Sequence, residues 1–241
     1  MRVRLDQLLV NRGLAESREK AKALIIAGQV LVNGQKGEKP GSTVAENIKL
    51  ELTARMPYVS RGGYKLAHAL DHFHIPVENL LCLDVGASTG GFTDCLLQRG
   101  AARVFAIDVG HGQFDWKLRN HPRVEVRENF NARHMTAADF PAPFDLAVCD
   151  ASFISVTLLL PAIAATLTER GEMVVLVKPQ FEVGKGEVGK GGIVRDPALH
   201  EASCLKVRSA VEGLGFLTDL TESPILGAEG NKEFLLHGRR S

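Results

Sequence analysis

Residues 81–94 read LCLDVGASTGGFTD. An apolar run stops at Asp84, and Gly86, Gly90 and Gly91 follow. That order predicts a buried strand, a tight turn and a helix, with turn backbone open to a ligand. The alternation recurs down the chain. Apolar segments at 80–84, 103–108, 144–150 and 173–178 are separated by helical stretches, notably 91–98 and 152–168. Strands that are apolar throughout are buried on both faces. The expectation is an α/β fold with a Rossmann-like, doubly wound, mostly parallel sheet. Its ligand should lie at the carboxyl ends of the strands, near the topological switch point.

The loop at 86–91 departs from two familiar phosphate cradles. Ser88 stands where the second glycine of G-x-G-x-x-G belongs, and no Lys-Ser/Thr pair follows as in a Walker A loop. A carboxylate at Asp84 repels a pyrophosphate and suits a ligand carrying an amine. S-adenosylmethionine has an ammonium, a sulfonium and no phosphate. Asp108 ends the next apolar segment, where an acidic side chain can accept ribose hydroxyls. The expected cofactor contacts are therefore Asp84, Gly86, Ala87, Ser88, Thr89, Gly90 and Asp108. A second glycine run, GKGEVGKG at 184–191, fails as a P-loop at Gly191, where Ser or Thr must bind magnesium. The stretch 181–195 reads as a mobile loop whose Lys185, Lys190 and Arg195 can meet a nucleic-acid backbone.

Charge divides the 241 residues unevenly. Residues 1–65 hold 12 Lys and Arg against 6 Asp and Glu, whereas residues 66–241 hold 17 against 22. The net +1 thus hides a basic front piece on a mildly acidic body, and the front piece is expected to meet a polyanion. The opening MRVRLDQLLVNRG lacks the apolar core and cleavage site of a signal peptide. No apolar stretch reaches the ~18 residues of a membrane span. A cytoplasmic protein without a span is expected. The scattered Cys82, Cys95, Cys149 and Cys204 read as buried thiols.

In the front piece, Leu5, Leu8 and Leu9 have helical spacing before Gly13. Ser17 is a suitable N-cap for a second helix with Ala21, Leu24 and Ile25 on one face. QVLVNGQ at 29–35 reads as a strand entering an Asn-Gly hairpin turn. Pro57 disfavours helix at Met56, which places a linker at 53–59. Ser60 is then expected to cap a helix carrying Leu66, Leu70 and Phe73, with Lys65 in its first turns. His68 and His72 are four apart, yet no further ligand is evidently placed near them, so no metal is expected.

The stretch RLDQLLVNRGLAESREKAKALIIAGQVLVNGQ, through its Arg-Leu-Asp opening, Ser-Arg pair and Gly-x-Val-x-Val-Asn-Gly, resembles the small alpha-L RNA-binding domain named after a ribosomal protein. The resemblance covers residues 2 to about 50. It implies that Arg4, Arg18, Lys20 and Lys22 face RNA phosphates, which long cationic side chains contact without base selectivity. The domain organisation expected is a small N-terminal α+β RNA-binding domain at 1–52, the linker at 53–59 and the sheet domain at 60–241.

Polar residues cluster at strand ends in the body. Asp150 ends FDLAVCD, Lys178 ends MVVLVK, and Glu233 stands at the mouth of an apolar final strand, with Glu229 close by. A lysine at the end of a buried strand is seldom structural. With Lys65 these residues resemble the Lys-Asp-Lys-Glu set of RNA ribose 2'-O-methyltransferases. YVSRGGYKL, LDVGASTGGFTD, CDASFIS and VKPQFEVGKGEVGKGGIVRD extend the likeness across nearly the whole chain. By them the chain resembles the TlyA family of hemolysin-named rRNA methyltransferases. The resemblance implies ribosomal RNA or a ribosomal subunit as partner and a cytidine 2'-hydroxyl as acceptor. It implies Lys65, Asp150, Lys178 and Glu233 as catalytic residues. The joint ARMPYVS lacks the tryptophan of some family linkers. In chemical terms a ribose hydroxyl must lose its proton during attack on the methyl group. A lysine can take that proton only if it is first neutral, which a second cation nearby favours. Two other classes compete: a membrane-damaging protein, as the family's older name suggests, and a non-catalytic RNA-binding assembly factor. The first lacks a strongly amphipathic basic helix, and the second would need a broken loop or catalytic set.

Overall fold

The computed structural model describes residues 2–26, 28–37, 39–52, 57–184, 186–227 and 230–240. The chain forms two compact units, Met1–Met56 and Pro57–Ser241. In the first, a short strand β1 (Arg2–Arg4) runs into helices α1 (Leu5–Asn11) and α2 (Arg18–Ile26). Strands β2 (Val30–Val32), β3 (Gln35–Lys36), β4 (Thr43–Ala45) and β5 (Leu50–Leu52) follow. Leu5, Leu9, Ala21, Ile25 and Val30 form its core. The Ser17 hydroxyl accepts the Lys20 N–H at 3.2 Å, as an N-cap should. Asn33 and Gly34 both take positive φ, 51° and 80°, and close the β2–β3 hairpin with Val32 opposite Gln35. That pair of angles is what an Asn-Gly two-residue turn requires. Residues 53–56 of the expected linker lie outside the described residues.

The second unit starts with helix α3 (Gly62–His72). Ser60 does not cap it by side chain; the cap position is Arg61, and the Ser60 carbonyl accepts the Gly63 N–H instead. There follow β6 (Leu81–Val85), α4 (Gly91–Gln98), β7 (Arg103–Ile107), α5 (Trp116–Arg119), β8 (Val124–Arg127) and β9 (Phe144–Cys149). The chain continues through α6 (Leu160–Thr166), β10 (Leu167–Val177), α7 (Pro179–Glu182), α8 (Pro197–Glu212), β11 (Phe216–Glu222) and β12 (Phe234–Arg240). The sheet order is β11-β12-β10-β9-β6-β7-β8. Only β12 runs against its neighbours, so the sheet is mixed. The chain leaves β6 toward β7 and β8, then returns to β9 on the other side. The switch point therefore lies between β6 and β9, where the carboxyl ends diverge.

Alternate residues of each central strand fill two cores. Leu83, Val85, Phe105 and Ile107 pack with α6 and α8 on one face. Cys82, Val104 and Ala106 pack with α3 and α4 on the other. Two strands of this sheet were not anticipated, β8 and β11, nor were β1, β4 and β5 of the first unit. β8 is an edge strand with charged alternation, and β11 borders the sheet on the opposite side. The helix expected over 152–168 is confined to Leu160–Thr166: residues 156–158 form a 3-10 turn before it, and the chain is extended from Leu167. The loop expected over 181–195 begins with the last residues of α7.

Candidate active site

The loop after β6 is shaped by positive φ at Gly86 (78°), Ser88 (48°) and Gly90 (94°). At Gly86 a Cβ would press on the Asp150 carbonyl carbon and oxygen, at 3.0 and 2.9 Å, so the two strand ends meet backbone to backbone. Gly90 N-caps α4. Asp108 braces the loop: its Oδ2 accepts the Ser88 N–H at 2.7 Å and its Oδ1 accepts the Gly110 N–H at 2.6 Å.

Asp84 departs from its expected place. It is fully buried and lines neither of the cavities at this end of the sheet. Side chains alternate along β6, so a carboxylate one residue before Val85 points into the α3–α4 face. Its Oδ2 accepts the Thr93 hydroxyl at 2.6 Å, and Oδ1 has no hydrogen-bond partner among the described residues. Burial pushes its pKa up to about 7, with Asp150 and Asp108 adding to the rise. Asp84 ties β6 to α4.

Two cavities flank the loop. The larger, about 510 Å³, is lined by Gly86, Ser88, Asp108, Asn131, Asp150 and Ser152, and by Ile107, Phe130, Ala132, Phe153 and Leu159. Its size and its mostly apolar wall, with a carboxylate at one strand end, fit a nucleoside-bearing cofactor such as S-adenosylmethionine. The smaller, about 100 Å³, is lined by Lys65, Asp150, Ser60, Gly62, Gly91, Phe92 and the loop Gly86, Ala87, Ser88 and Thr89.

The proposed reactive residues form two ion pairs. Lys178 Nζ lies 2.6 Å from Asp150 Oδ1 and donates to Ser152 Oγ at 2.7 Å. Lys65 Nζ pairs with Glu233 Oε2. Both lysines and Glu233 are buried. The topology explains the meeting: β12 is antiparallel, with Phe234 opposite Val177, so Glu233 starts a strand where Lys178 ends one. Among the described residues no group of His, Cys, Asp and Glu is disposed to hold a metal ion. Glu229 and Lys185 lie outside the described residues.

Two neighbours were missed from the sequence. Ser152 holds Lys178, and a hydroxyl there carries no distinctive signal. Phe153 is 92% exposed, has φ 67° and sits 5.4 Å from the Phe181 ring centre. A bulky residue in that conformation is a genuine outlier and clusters at functional sites. Both residues lie within CDASFIS, and that stretch was the available signal.

In the first unit Arg4 and Arg18 both bind Asp6, at 3.0 and 3.1 Å, and remain about half exposed. Asp6 is buried, and the Arg4 hydrogen bond pulls its carboxyl down to about 2. Lys20 pairs with Glu16, and Lys22 is exposed. In the second unit Lys190 and Arg195 are exposed on the loop after α7.

Known proteins carry the same two parts. Residues 58–240 match the model of the FtsJ-like methyltransferases, and residues 3–47 match the S4 domain. The 16S/23S rRNA (cytidine-2'-O)-methyltransferase TlyA of Mycobacterium tuberculosis is 48% identical over 238 residues, covering 98% of this chain and 89% of the relative. A solved hemolysin-named protein of Streptococcus thermophilus is 44% identical, with TM-score 0.77, and the match covers 100% of this chain and 89% of that one. The magnesium protoporphyrin IX methyltransferase of Synechocystis PCC 6803, solved with bound SAM, shares the fold alone at 14% identity and TM-score 0.52, over 75% of this chain and 79% of its own. With a family model spanning most of its length and a relative this similar along almost all of it, the chain belongs to the FtsJ-like methyltransferases of the TlyA type, which carry an N-terminal S4 domain.

Proposed function

We propose that the protein transfers a methyl group from S-adenosylmethionine to the 2'-hydroxyl of a cytidine in ribosomal RNA. The observation that carries this reading is the pairing of Lys178 with Asp150, and of Lys65 with Glu233, beside the cavity that Asp108 and Asp150 line. The mycobacterial relative's name supports both the acceptor and the RNA.

S-adenosylmethionine supplies an electrophilic methyl group on its sulfonium. When the cofactor is bound, Asp108 would hold its ribose, and the loop residues Gly86 and Ser88 and the apolar wall of Ile107, Phe130, Ala132 and Leu159 would hold the rest. Lys178 accepts the proton of the 2'-hydroxyl as the oxygen attacks. It does so from the neutral amine, after passing its extra proton to Asp150 or to solvent. Ser152 fixes the Lys178 amine from its other side. Lys65, held by Glu233, stabilises charge on the attacking oxygen. Much of the rate comes from alignment of hydroxyl, methyl and sulfur.

RNA is held on both units. Arg4, Arg18, Lys20 and Lys22 contact phosphates from the S4 domain, and Lys185, Lys190 and Arg195 from the loop after α7. Phe153 offers the acceptor nucleotide a stacking face, since bases stack on exposed aromatic rings. The reaction takes place in the cytoplasm, where ribosomal subunits are found.

Incubation with labelled cofactor and purified ribosomal subunits tests the reading. Label should appear on a cytidine 2'-oxygen and be absent with Lys178→Ala. Label on a base, or equal label with the variant, contradicts it.

A further inference from the structure

The segment that delivers Glu233 is hydrogen-bonded to the basic loop through the Asn231 side chain. Asn231, two residues before Glu233, is 2% exposed. Its Oδ1 accepts the Val194 N–H at 3.0 Å, and its Nδ2 donates to the Gly192 carbonyl at 2.9 Å. The Val194 carbonyl is hydrogen-bonded at 2.9 Å by the buried His200 of α8. The Asn231 carbonyl accepts the Gly227 N–H at 2.8 Å. Gly227 in turn backs Glu233: a Cβ there would overlap the Glu233 carboxylate. At the other side, Arg61 next to α3 donates to the Leu226 carbonyl at 2.5 Å.

An amide is the fitting group at this position. It offers an acceptor and a donor in one plane, which satisfies an N–H and a C=O two residues apart on the loop. Aspartate keeps the acceptor and loses the donor. An aliphatic residue leaves the buried Val194 N–H without its acceptor, which is costly, and the part-buried Gly192 carbonyl without this donor.

We propose that Asn231 is a positioning residue for methyl transfer. It fixes Glu233, and through Glu233 the Lys65 ammonium, to the end of the loop that carries Lys190 and Arg195. The basic loop and the Lys65–Glu233 pair then form one mechanical unit, so the seat of the loop on RNA sets the place of the Glu233 carboxylate. This rests on the functional reading above for the roles of Glu233 and the loop.

The test is steady-state methyl transfer to ribosomal subunits by the full-length protein, giving kcat and RNA KM, with cofactor affinity measured alongside. Asn231→Ala should lower kcat roughly tenfold to a hundredfold, the cost of a small misplacement of reacting groups, with cofactor affinity unchanged. Gly227→Ala reaches the same carboxylate without touching the amide and should lower kcat likewise. Asn231→Asp serves if the alanine variant does not fold. In a Glu233→Asp background each change should cost clearly less, because the carboxylate is already out of place. Equal cost in both backgrounds overturns the proposal. So does an unchanged kcat with a raised RNA KM, which would leave Asn231 serving the loop alone. A fully active Glu233→Asp also overturns it, because the place of the carboxylate then does not matter. If wild-type protein transfers no methyl group to RNA, the functional reading fails instead.

Discussion

Lys178 and Asp150 follow adjacent parallel strands, and their charged atoms lie 2.6 Å apart beside the switch point of the sheet. Neither strand alone defines the site. Parallel register aligns the two strand ends, and the antiparallel β12 brings Glu233 to the same end. The proposed reactive set is therefore brought together by sheet order, and its members are separable by mutation.

Lys178→Ala should abolish measurable methyl transfer, with a loss of roughly 10²–10⁴-fold from general-base catalysis and unaltered cofactor binding. Asp150→Asn should also lose activity but keep the Lys178–Ser152 hydrogen bond. Rates at saturating RNA and cofactor decide it. Near-normal activity of Lys178→Ala at neutral pH would move the base to Asp150 or solvent.

Asp108→Ala should weaken S-adenosylmethionine by at least tenfold, about 1.4 kcal/mol. The substitution removes the carboxylate at the cavity wall and also frees the Ser88 and Gly110 N–H groups it braces. Calorimetry on the variant measures this. Tighter binding of NAD than of S-adenosylmethionine by wild-type protein would contradict the assignment of the cavity.

Asp84 makes a pH prediction. Its folded pKa is raised from 3.8 to about 7 by burial, so the folded state holds a proton that the unfolded chain releases. That group's contribution is fully favourable below the unfolded value and is lost as pH rises through about 7. Asp84→Asn should therefore raise the stability of the cofactor-free protein at pH 8 by on the order of a few kcal/mol, and by little or nothing near pH 4. Urea titrations at the two values provide the check, and an equal effect at both refutes the role of ionisation.

Lys20→Gln and Lys22→Gln should weaken RNA binding and flatten its log–log salt dependence by about 0.9 per lost phosphate contact, taking duplex DNA as guide. These lysines are better probes than Arg4 and Arg18, whose loss would leave Asp6 buried without its partners. Filter binding between low and moderate salt separates the outcomes. An unchanged slope would shift the phosphate contacts to the loop after α7.

The sequence made the central frame legible because buried parallel strands are apolar throughout and end in chemistry. LCLD, FDLAVCD and MVVLVK announce three of the central strands and the residues that follow them. The Asn-Gly turn and the Ser17 cap were equally plain, since both depend on local backbone needs. What stayed hidden depends on the third dimension. Asp84 reads like Asp108 in one dimension, yet pleating sends its side chain into the core against Thr93. β8 and β11 sit at or beside sheet edges, where half-exposed, charged strands blur the pattern. Asn231 has no motif of its own, because its meaning comes from the loop it holds.

The most direct measurement is the position of 2'-O-methyl groups in ribosomal RNA from cells with and without this protein, with Lys178→Ala as a third strain. The account predicts at least one cytidine methylated on its ribose only where the wild-type protein is present. An identical methylation map in all three strains, with wild-type protein expressed and folded, would contradict it.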